Sequence, residues 1–322
     1  MSVSVVMPVR NEELHLTAAV ERVLAQEFDG ELEIIIAVGP SRDDTLAIAH
    51  SLAAGDERIS VVDNPSGFTP AGLNRAIEHA SHDVIVRVDG HGELSPGYIA
   101  RAVALLEETG AANVGGVMDA VGRTPFERAV AASYNSPYGL GGGGFHHKDT
   151  PAGPADTVFL GVFRRHALED VGGFDETMHR AQDWELNYRL RRAGHLIYFC
   201  PDLHVTYRPR STYRALAKQF FLTGNWRREV VRRHPETASL RYLAPPVAVI
   251  LGFGGLGAGI VGLLLRFRWA GLLLVAPTVY CLFILLATVK IPADPAAKLR
   301  LPFVLAVMHA CWGVGFLRGP IP

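Results

Sequence analysis

Three short stretches carry side chains whose types and spacing suit chemistry. Arg87-Val88-Asp89-Gly90-His91 closes an apolar run. A carboxylate and an imidazole two residues apart at a strand end can share one divalent cation. Oxygen ligands favour Mg²⁺, and a histidine in the shell moves the preference toward Mn²⁺. Such a cation would neutralise the pyrophosphate of a departing nucleoside diphosphate. A solvated turn with incidental Asp and His has the same spacing, and spacing alone favours neither. Gln182-Asp183-Trp184-Glu185 opens a helical pattern. An Asp there is most often an N-cap. Its functional alternative is a general base that takes a proton from an acceptor hydroxyl, kept ionised by the helix N-terminus. Trp184 offers a face for sugar stacking, with a core role as the default for a Trp. Pro8-Val9-Arg10-Asn11-Glu12 follows the first apolar run without a Gly-x-Gly-x-x-Gly, which argues against a dinucleotide site. Gly141–Gly144 leads to Phe145 rather than Lys-Ser/Thr, so no Walker loop is present, and His146 and His147 in that run read as surface residues. Gly161 with Arg164 and Arg165, and later Arg208, Arg210 and Arg214, are phosphate-binding candidates. A solvated or lipid-facing basic stretch is the competing reading for most of them.

The elements that must position these residues follow from hydropathic period. Val3–Met7, Glu33–Val38, Ile59–Asp63 and Asp83–Asp89 read as buried strands. Between them Glu12–Gln26, Asp43–Leu52 and Ala71–Ala80 read as helices, the first with Leu16, Val20, Val23 and Leu24 on one side. Alternating strands and helices predict a parallel, right-handed α/β sheet. Ligands in such sheets sit beyond the carboxyl ends of strands, which singles out Pro8–Glu12, Gly39–Asp44 and Asp89–His91. Residues 120–155 read as a long mobile loop, Val158–Phe163 as a strand, and Gln182–Ala193 as a helix stopped by Gly194.

Charge divides the chain. Residues 1–203 hold 16 Lys+Arg against 29 Asp+Glu, a net of −13, and residues 204–322 hold 15 against 3, a net of +12. The acidic front argues against a nucleic-acid partner, and the basic, apolar back argues for membrane lipid on the cytoplasmic side. Apolar segments near 243–265, 269–289 and 301–317 predict two to three transmembrane helices. Gly255 and Gly259 form a small-xxx-small pair suited to close helix packing. Arg227, Arg228, Arg232, Arg233 and Arg241 precede the first segment and put the attached domain in the cytoplasm. Lys290, Lys298 and Arg300 fall on the same side. Arg266 and Arg268 fall on the opposite side, a conflict that a shallow or re-entrant hairpin would remove; three spans are preferred. Cys200, Cys281 and Cys311 have neither metal nor disulfide spacing, which fits a reducing compartment. Met1–Pro8 lacks a basic leader and reads as a first strand rather than a signal peptide.

In order along the chain, these pieces resemble the family 2 inverting glycosyltransferases of GT-A fold. Ser4 through Glu12 is similar to that family's opening strand and Pro-x-x-Asn-Glu turn, and Ser41-Arg42-Asp43-Asp44-Thr45 to its Ser-x-Asp-x-Thr. Asn64 through Asn74 resembles the Asn-containing helix before the metal strand. Asp89-Gly90-His91 stands at its Asp-x-Asp position. Val171-Gly172-Gly173-Phe174-Asp175-Glu176 followed by Asp183 resembles its acceptor motif and catalytic carboxylate. The succinoglycan-biosynthesis subgroup is closest: it shares the Asp-x-His motif, Asp156 through Gly161, Asn187-Tyr188-Arg189-Leu190, and Pro209-Arg210-Ser211 leading to Lys218-Gln219-Phe220. The resemblance covers roughly 2–235.

The resemblance implies a GT-A domain over 1–235, a mostly parallel sheet flanked by helices, with a nucleotide-sugar half at about 1–118 and an acceptor half at about 119–235. A helical membrane region fills 236–322. It implies a bacterial, multi-pass cell-membrane enzyme with a cytoplasmic catalytic domain, serving cell-envelope or exopolysaccharide synthesis. A nucleotide-sugar, UDP by family habit, would donate to a lipid-linked or polysaccharide acceptor. Asp183 would be the base. Asp89 and His91, with His204 as a third candidate, would hold Mn²⁺ or Mg²⁺. Pro8, Val9, Arg10, Asn11, Glu12, Gly39, Asp43, Asn74, Arg87 and Asp89 would line the donor site. Gly161, Gln182 and Trp184 would meet the acceptor, and Arg208 and Arg210 the diphosphate, with His204 or Arg208 closing over it. Val38-Gly39-Pro40 lacks the acid that family members usually place against the nucleotide. The stretch Gln219 through Trp226 lacks the Arg before Trp of processive synthases, which favours single addition. A polyprenyl-phosphate sugar synthase is the nearest rival, and a catalytically silent membrane scaffold a more distant one.

Overall fold

The computed structural model describes residues 1–140, 146 and 148–320; Gly141–Gly144 and His147 lie outside them. Contacts divide the chain into two units, Met1–Asp119 with His147–Tyr207, and Ala120–His146 with Arg208–Pro322.

In the first unit the β-branched run Val3–Val9 forms β1, buried almost throughout. It pairs in parallel with β2 (Leu32–Val38) and β4 (Val84–Arg87), and β3 (Ile59–Asp63) lies parallel beyond β2. The crossovers carry α1 (Leu16–Leu24), α2 (Thr45–Gly55) and α3 (Thr69–His79). Packing of α1 through Leu16, Val20 and Val23 follows the predicted stripe. The helix begins at Leu16 rather than Glu12, and the Glu12 amide donates to Thr45 Oγ1 (2.8 Å) across the strand ends.

Beyond β4 the sheet changes direction. Its remaining strands are β5 (Glu93–Leu94), β6 (Asn113–Ala120), β7 (Gly153–Pro154), β8 (Phe159–Arg164) and β9 (Ile197–Tyr207). The order is β3-β2-β1-β4-β8-β6-β9-β5, with β7 on β9. The β4–β8, β6–β8, β5–β9 and β7–β9 pairs are antiparallel. The sheet is thus mixed, parallel only over β1 to β4. No crossover helix is needed where a strand returns beside its neighbour in the opposite sense. The α4 helix (Tyr98–Thr109) buries Ile99, Ala102, Val103 and Leu106, starting after Gly97 and ending at Gly110. Short α6 (Arg165–Asp170) precedes α7 (Gln182–Arg192). One apolar cluster, including Val5, Met7, Ile34, Val86, Leu106 and Val162, forms this unit's core.

The second unit is helical. Part of the stretch expected as loop forms α5 (Pro125–Tyr134). Its start is written in Thr124-Pro125-Phe126-Glu127: the Thr124 hydroxyl accepts from the Glu127 amide (3.2 Å), and Glu127 Oε2 accepts from the Thr124 amide (3.1 Å). That is a capping box with Pro at the first helical position. The basic stretch becomes α8 (Tyr213–Arg233), followed by α9 (Leu240–Val249), α10 (Gly255–Leu264), α11 (Val275–Lys290), α12 (Pro295–Lys298) and α13 (Leu301–Arg318). Pro245 and Pro246 sit inside α9, and a π-helical turn at Ile250–Gly254 joins it to α10.

Three segments among the described residues are long and apolar enough to cross a membrane: Tyr242–Leu264, Ala270–Lys290 and Leu301–Arg318. The first two are 11% buried within the protein and the third 33%. The difference arises because α13 packs along α8. Several of the arginines that precede the first apolar segment have internal partners. Arg227 is buried with its guanidinium 3.4 Å from the Tyr242 ring centroid, and Arg228 donates to the Phe316 and Leu317 carbonyls at the end of α13. Hydrogen bonds from Arg232, against opposing burial, and then from Arg233 hold the Glu229 carboxyl down to about 2.

Two glycines set the α8–α13 approach. A Cβ at Gly224 would meet the Trp312 carbonyl oxygen at 2.0 Å, and one at Gly315 the Phe221 carbonyl oxygen at 2.0 Å. Backbone cannot swing aside as a side chain can. Gly315→Leu is therefore expected to cost at least the upper end of the usual overpacking range, about 3 kcal/mol. Thermal unfolding in detergent checks this, with Gly257→Leu as control, since nothing lies within 4 Å of a Cβ at Gly257. Equal melting of the two variants would contradict it.

Candidate active site

The loops leaving β1 and β2 are laced together at the carboxyl edge of the sheet. Asn11 takes a left-handed conformation (φ 55°), which Asn tolerates better than most residues. Its amide donates to Ser41 Oγ (3.1 Å), and its Oδ1 accepts from the Arg42 amide (2.8 Å). Arg10 Nε donates to the Pro40 carbonyl (3.2 Å), and the Gly39 amide donates to the Val9 carbonyl (2.8 Å). Asp43 Oδ1 accepts from Thr45 Oγ1 (2.6 Å) and Oδ2 from the Glu13 amide (3.3 Å). The Thr45 hydroxyl is the main cause that holds the Asp43 carboxyl below its ordinary range. Asp43, expected to line the nucleoside pocket, thus uses both oxygens to fix the loop pair. Pro8 and Val9 belong to β1 itself.

The turn after β4 packs onto this frame. A Cβ at Gly90 would lie 2.9 Å from Val9 Cγ1 and 3.0 Å from Glu12 Cγ, so glycine lets Asp89-Gly90-His91 sit against Glu12. His91 Nδ1 is 2.8 Å from Glu12 Oε1. With Nδ1 donating to the carboxylate, Nε2 carries the lone pair, the arrangement in which histidine ligates metal. Asp89 Oδ1 accepts from Arg87 Nε (3.2 Å) and Nη2 (3.0 Å). No group of three His, Cys, Asp or Glu able to hold a metal occurs among the described residues. Two protein ligands, with phosphate oxygens completing the shell, is a common pattern for Mg²⁺ and suits Mn²⁺ with its histidine. His204 is not gathered into such a group; it lies on β9, its carbonyl accepting from the Ser95 amide (3.0 Å) and its buried Nδ1 without a hydrogen-bond partner.

Asp183 arrives from the other side, in the first turn of α7. The loop delivering it is held at several points. Gly172 and Gly173 take positive φ (76° and 71°), which glycine adopts without strain. Asn74 on α3 grips Phe174 reciprocally: Oδ1 accepts from its amide (2.9 Å), and Nδ2 donates to its carbonyl (2.9 Å) and to Glu176 Oε1 (3.0 Å). Phe68 stacks on His179 with centroids 3.6 Å apart. Arg189, paired with buried Glu185 (2.8 Å), donates to the Val171 (2.5 Å) and Gly173 (2.8 Å) carbonyls. Asn74, expected at the nucleotide, is thus committed to the loop that carries Asp183.

Arg87 joins the two sides. Its side chain is 5% exposed, and it donates through Nη1 to Asp183 Oδ1 while Nε and Nη2 hold Asp89. Sequence reading assigned Arg87 to the donor and missed this bridge. The signal was an arginine inside Val84-Ile85-Val86-Arg87-Val88, since a charge that deep must be paired.

Other expected residues have structural surroundings. Gly161 lies in β8, where a Cβ would meet Asn113 Oδ1 at 2.2 Å. Asn113 Nδ2 donates to Asn187 Oδ1 (2.7 Å), and Asn187 Nδ2 donates to Thr157 Oγ1 (2.8 Å), which tie β6, α7 and the approach to β8 together. Gln182 is buried, and Trp184 stacks on Tyr188 at 5.7 Å. Arg164 and Arg165 donate to backbone carbonyls, such as Leu106 (2.7 Å) and Ala80 (2.6 Å), rather than standing as phosphate ligands. Arg208 and Arg210 belong to the second unit, where Arg208 Nη1 donates to the Val121 carbonyl (3.4 Å).

The chain belongs to Glycosyl transferase family 2, whose profile matches residues 4–172. It is an enzyme of GT-A fold. It is similar to the Succinoglycan biosynthesis protein ExoA of Rhizobium meliloti (strain 1021), 32% identical over 98% of this chain and 93% of the relative. It is also similar to a dolichyl N-acetyl-alpha-D-glucosaminyl phosphate 3-beta-D-2,3-diacetamido-2,3-dideoxy-beta-D-glucuronosyltransferase of Methanococcus voltae, 23% identical over 99% of this chain and 97% of that one. Among solved structures, mannosyltransferase PcManGT from Pyrobaculum calidifontis, in complex with GDP-Man and Mn²⁺, matches with a TM-score of 0.60 at 17% identity, over 98% of this chain and 86% of that chain.

Proposed function

We propose that this glycosyltransferase is an inverting enzyme that moves one sugar from a nucleoside-diphosphate sugar onto a lipid-linked or polysaccharide acceptor, in cell-envelope or exopolysaccharide synthesis. One observation carries the reading: Asp89, beside the Glu12–His91 pair, and Asp183 meet on one guanidinium at the carboxyl edge of the sheet. Asp89 and His91 would hold the divalent cation, which would offset the charge of the departing diphosphate. Asp183 takes the acceptor hydroxyl proton as that oxygen bonds to the anomeric carbon. The bond from that carbon to the diphosphate oxygen breaks, and the nucleoside diphosphate leaves with the electron pair. Attack opposite the leaving group inverts the anomeric centre. The three apolar segments anchor the enzyme, with the first unit in the cytoplasm, as the arginines before Tyr242 favour. The names of the Rhizobium meliloti and Methanococcus voltae relatives support glycan and lipid-linked acceptors respectively.

Purified enzyme in detergent, given a panel of UDP- and GDP-sugars with and without Mn²⁺ and a lipid extract, tests this directly. Mass analysis is expected to find one added hexose on a lipid-linked product, only with metal present. Product without metal, or repeated addition, would count against the reading. A polyprenyl-phosphate acceptor would appear as a sugar on the bare lipid phosphate.

A further inference from the structure

We infer that Arg87 is a positioning residue that couples the donor half of the site to the acceptor half, by holding Asp89 and Asp183 on a single buried guanidinium. The inference rests on the proposed roles of those two carboxylates and adds how one is set by the other.

The geometry is that of a bridge. Nε and Nη2 both go to Asp89 Oδ1 (3.2 and 3.0 Å), and Nη1 goes to Asp183 Oδ1. The guanidinium is planar and rigid, so its donors fix two acceptors relative to one plane, which an ammonium cannot do. Exposure gives the bridge a direction. The Arg87 side chain is 5% exposed, while Asp89 and Asp183 are 28% and 41% exposed. The cation forms the floor, and the carboxylates are open to what enters. A buried guanidinium is costly to desolvate, and an apolar residue would serve a plain brace in this strand better. The continuous apolar run Val84, Ile85, Val86 already supplies such residues, all buried.

Asp89 lies two residues beyond the end of β4, and Asp183 is 94 positions later on α7. Nothing in the backbone ladder joins those ends, since β4 pairs with β1 and β8. Arg87 supplies a side-chain link between them. Donor binding that fixes Asp89 also fixes the plane of Arg87, and through Nη1 the position of Asp183. The coupling aligns the base after the donor is seated.

Arg87→Met and Arg87→Lys, each alone and combined with Asp183→Asn, test this in the full-length enzyme. Donor binding is read by calorimetry with Mn²⁺, and transfer by initial rates. In Arg87→Met the donor dissociation constant is expected to stay within about fivefold of wild type while kcat falls, a split that marks loss of an interaction used in the transition state. The fall should reach about 100-fold, the usual effect of a misplaced catalytic group. Lysine, reaching one carboxylate at a time, should restore no more than a small part. Adding Asp183→Asn to Arg87→Met should lower kcat little further than the worse single variant, because the two act as one unit. Near-normal kcat in Arg87→Met would overturn the coupling. So would parallel loss of donor binding and kcat, the mark of a mere brace, or costs that multiply in the double variant. Should Arg87→Met not fold, Arg87→Lys keeps the charge and carries the same readings. Asp183→Asn alone separates the inference from its foundation: wild-type turnover there would remove the base itself, whereas its loss with intact Arg87→Met turnover would remove only the bridge.

Discussion

Asp183→Asn is expected to lower transfer by about 10²- to 10⁴-fold, the range a positioned general base contributes, while leaving Mn²⁺-dependent donor binding nearly intact. The substitution is close to isosteric. The asparagine carbonyl can still accept from Arg87 Nη1, as Asp183 Oδ1 does. The anchors of the preceding loop at Asn74, Phe68 and Arg189 do not involve residue 183. What disappears is the capacity to take a proton from a neutral hydroxyl. Initial rates with the donor found in the panel, beside a calorimetric titration of that donor, measure both halves. The polyprenyl-phosphate alternative predicts the opposite, because an ionised phosphate attacks without giving up a proton. Turnover that survives in Asp183→Asn would point there and would remove Asp183 from the chemistry.

The fold was legible where hydropathic period and local chemistry agree. Strands β1 to β4 and helices α1 to α3 stand out because β-branched runs alternate with amphipathic stripes, and the family resemblance rested on motifs at their ends. What went unread has physical causes. The antiparallel half depends on β8 returning beside β4, a long-range pairing with no local signature. Helix α5 did have one, the Thr124–Glu127 capping box, but it sat in a stretch whose glycines and prolines spoke for a loop. The basic run after Arg208 looked like a lipid-facing surface. Whether such a helix is bare depends on its partner, and Gly224 against Trp312 with Gly315 against Phe221 brings α13 close enough to cover it.

The site was legible as a set of residues more than as a set of roles. The sequence pointed to Glu12, Asp89, His91 and Asp183, and the structure pairs Glu12 with His91 and joins Asp89 to Asp183 through Arg87. Asp43 was read as a donor contact from its place beyond the second strand, and Asn74, on α3, from the family resemblance. Here their side chains hold the protein to itself, Asp43 lacing two loops and Asn74 gripping Phe174. A short polar side chain at a turn serves either use, and only the partner decides. Gly161 belongs to the same class: its missing Cβ makes room for Asn113 rather than for an acceptor.

Asp89→Asn is expected to abolish the metal dependence of donor binding and to lower turnover by about 10³-fold, the equivalent of roughly 4 kcal/mol. The amide keeps a carbonyl oxygen for Arg87, so the floor of the site stays assembled. The anionic oxygen that a hard cation needs is lost, and His91 alone does not hold Mg²⁺ or Mn²⁺. Arg87 is then left with Asp183 as its only charged partner among those two carboxylates. That strengthens the ion pair on the base, so turnover alone would mix two effects. Donor binding is the cleaner reading. In the wild type, a chelator should weaken donor binding and Mn²⁺ should restore it; in Asp89→Asn neither should matter. The pair of variants then dissociates the site: Asp183→Asn binds donor and does not transfer it, and Asp89→Asn fails at binding. A metal response in Asp89→Asn equal to wild type would move the cation elsewhere, and with it the reason for the Glu12–His91 pair beside this turn.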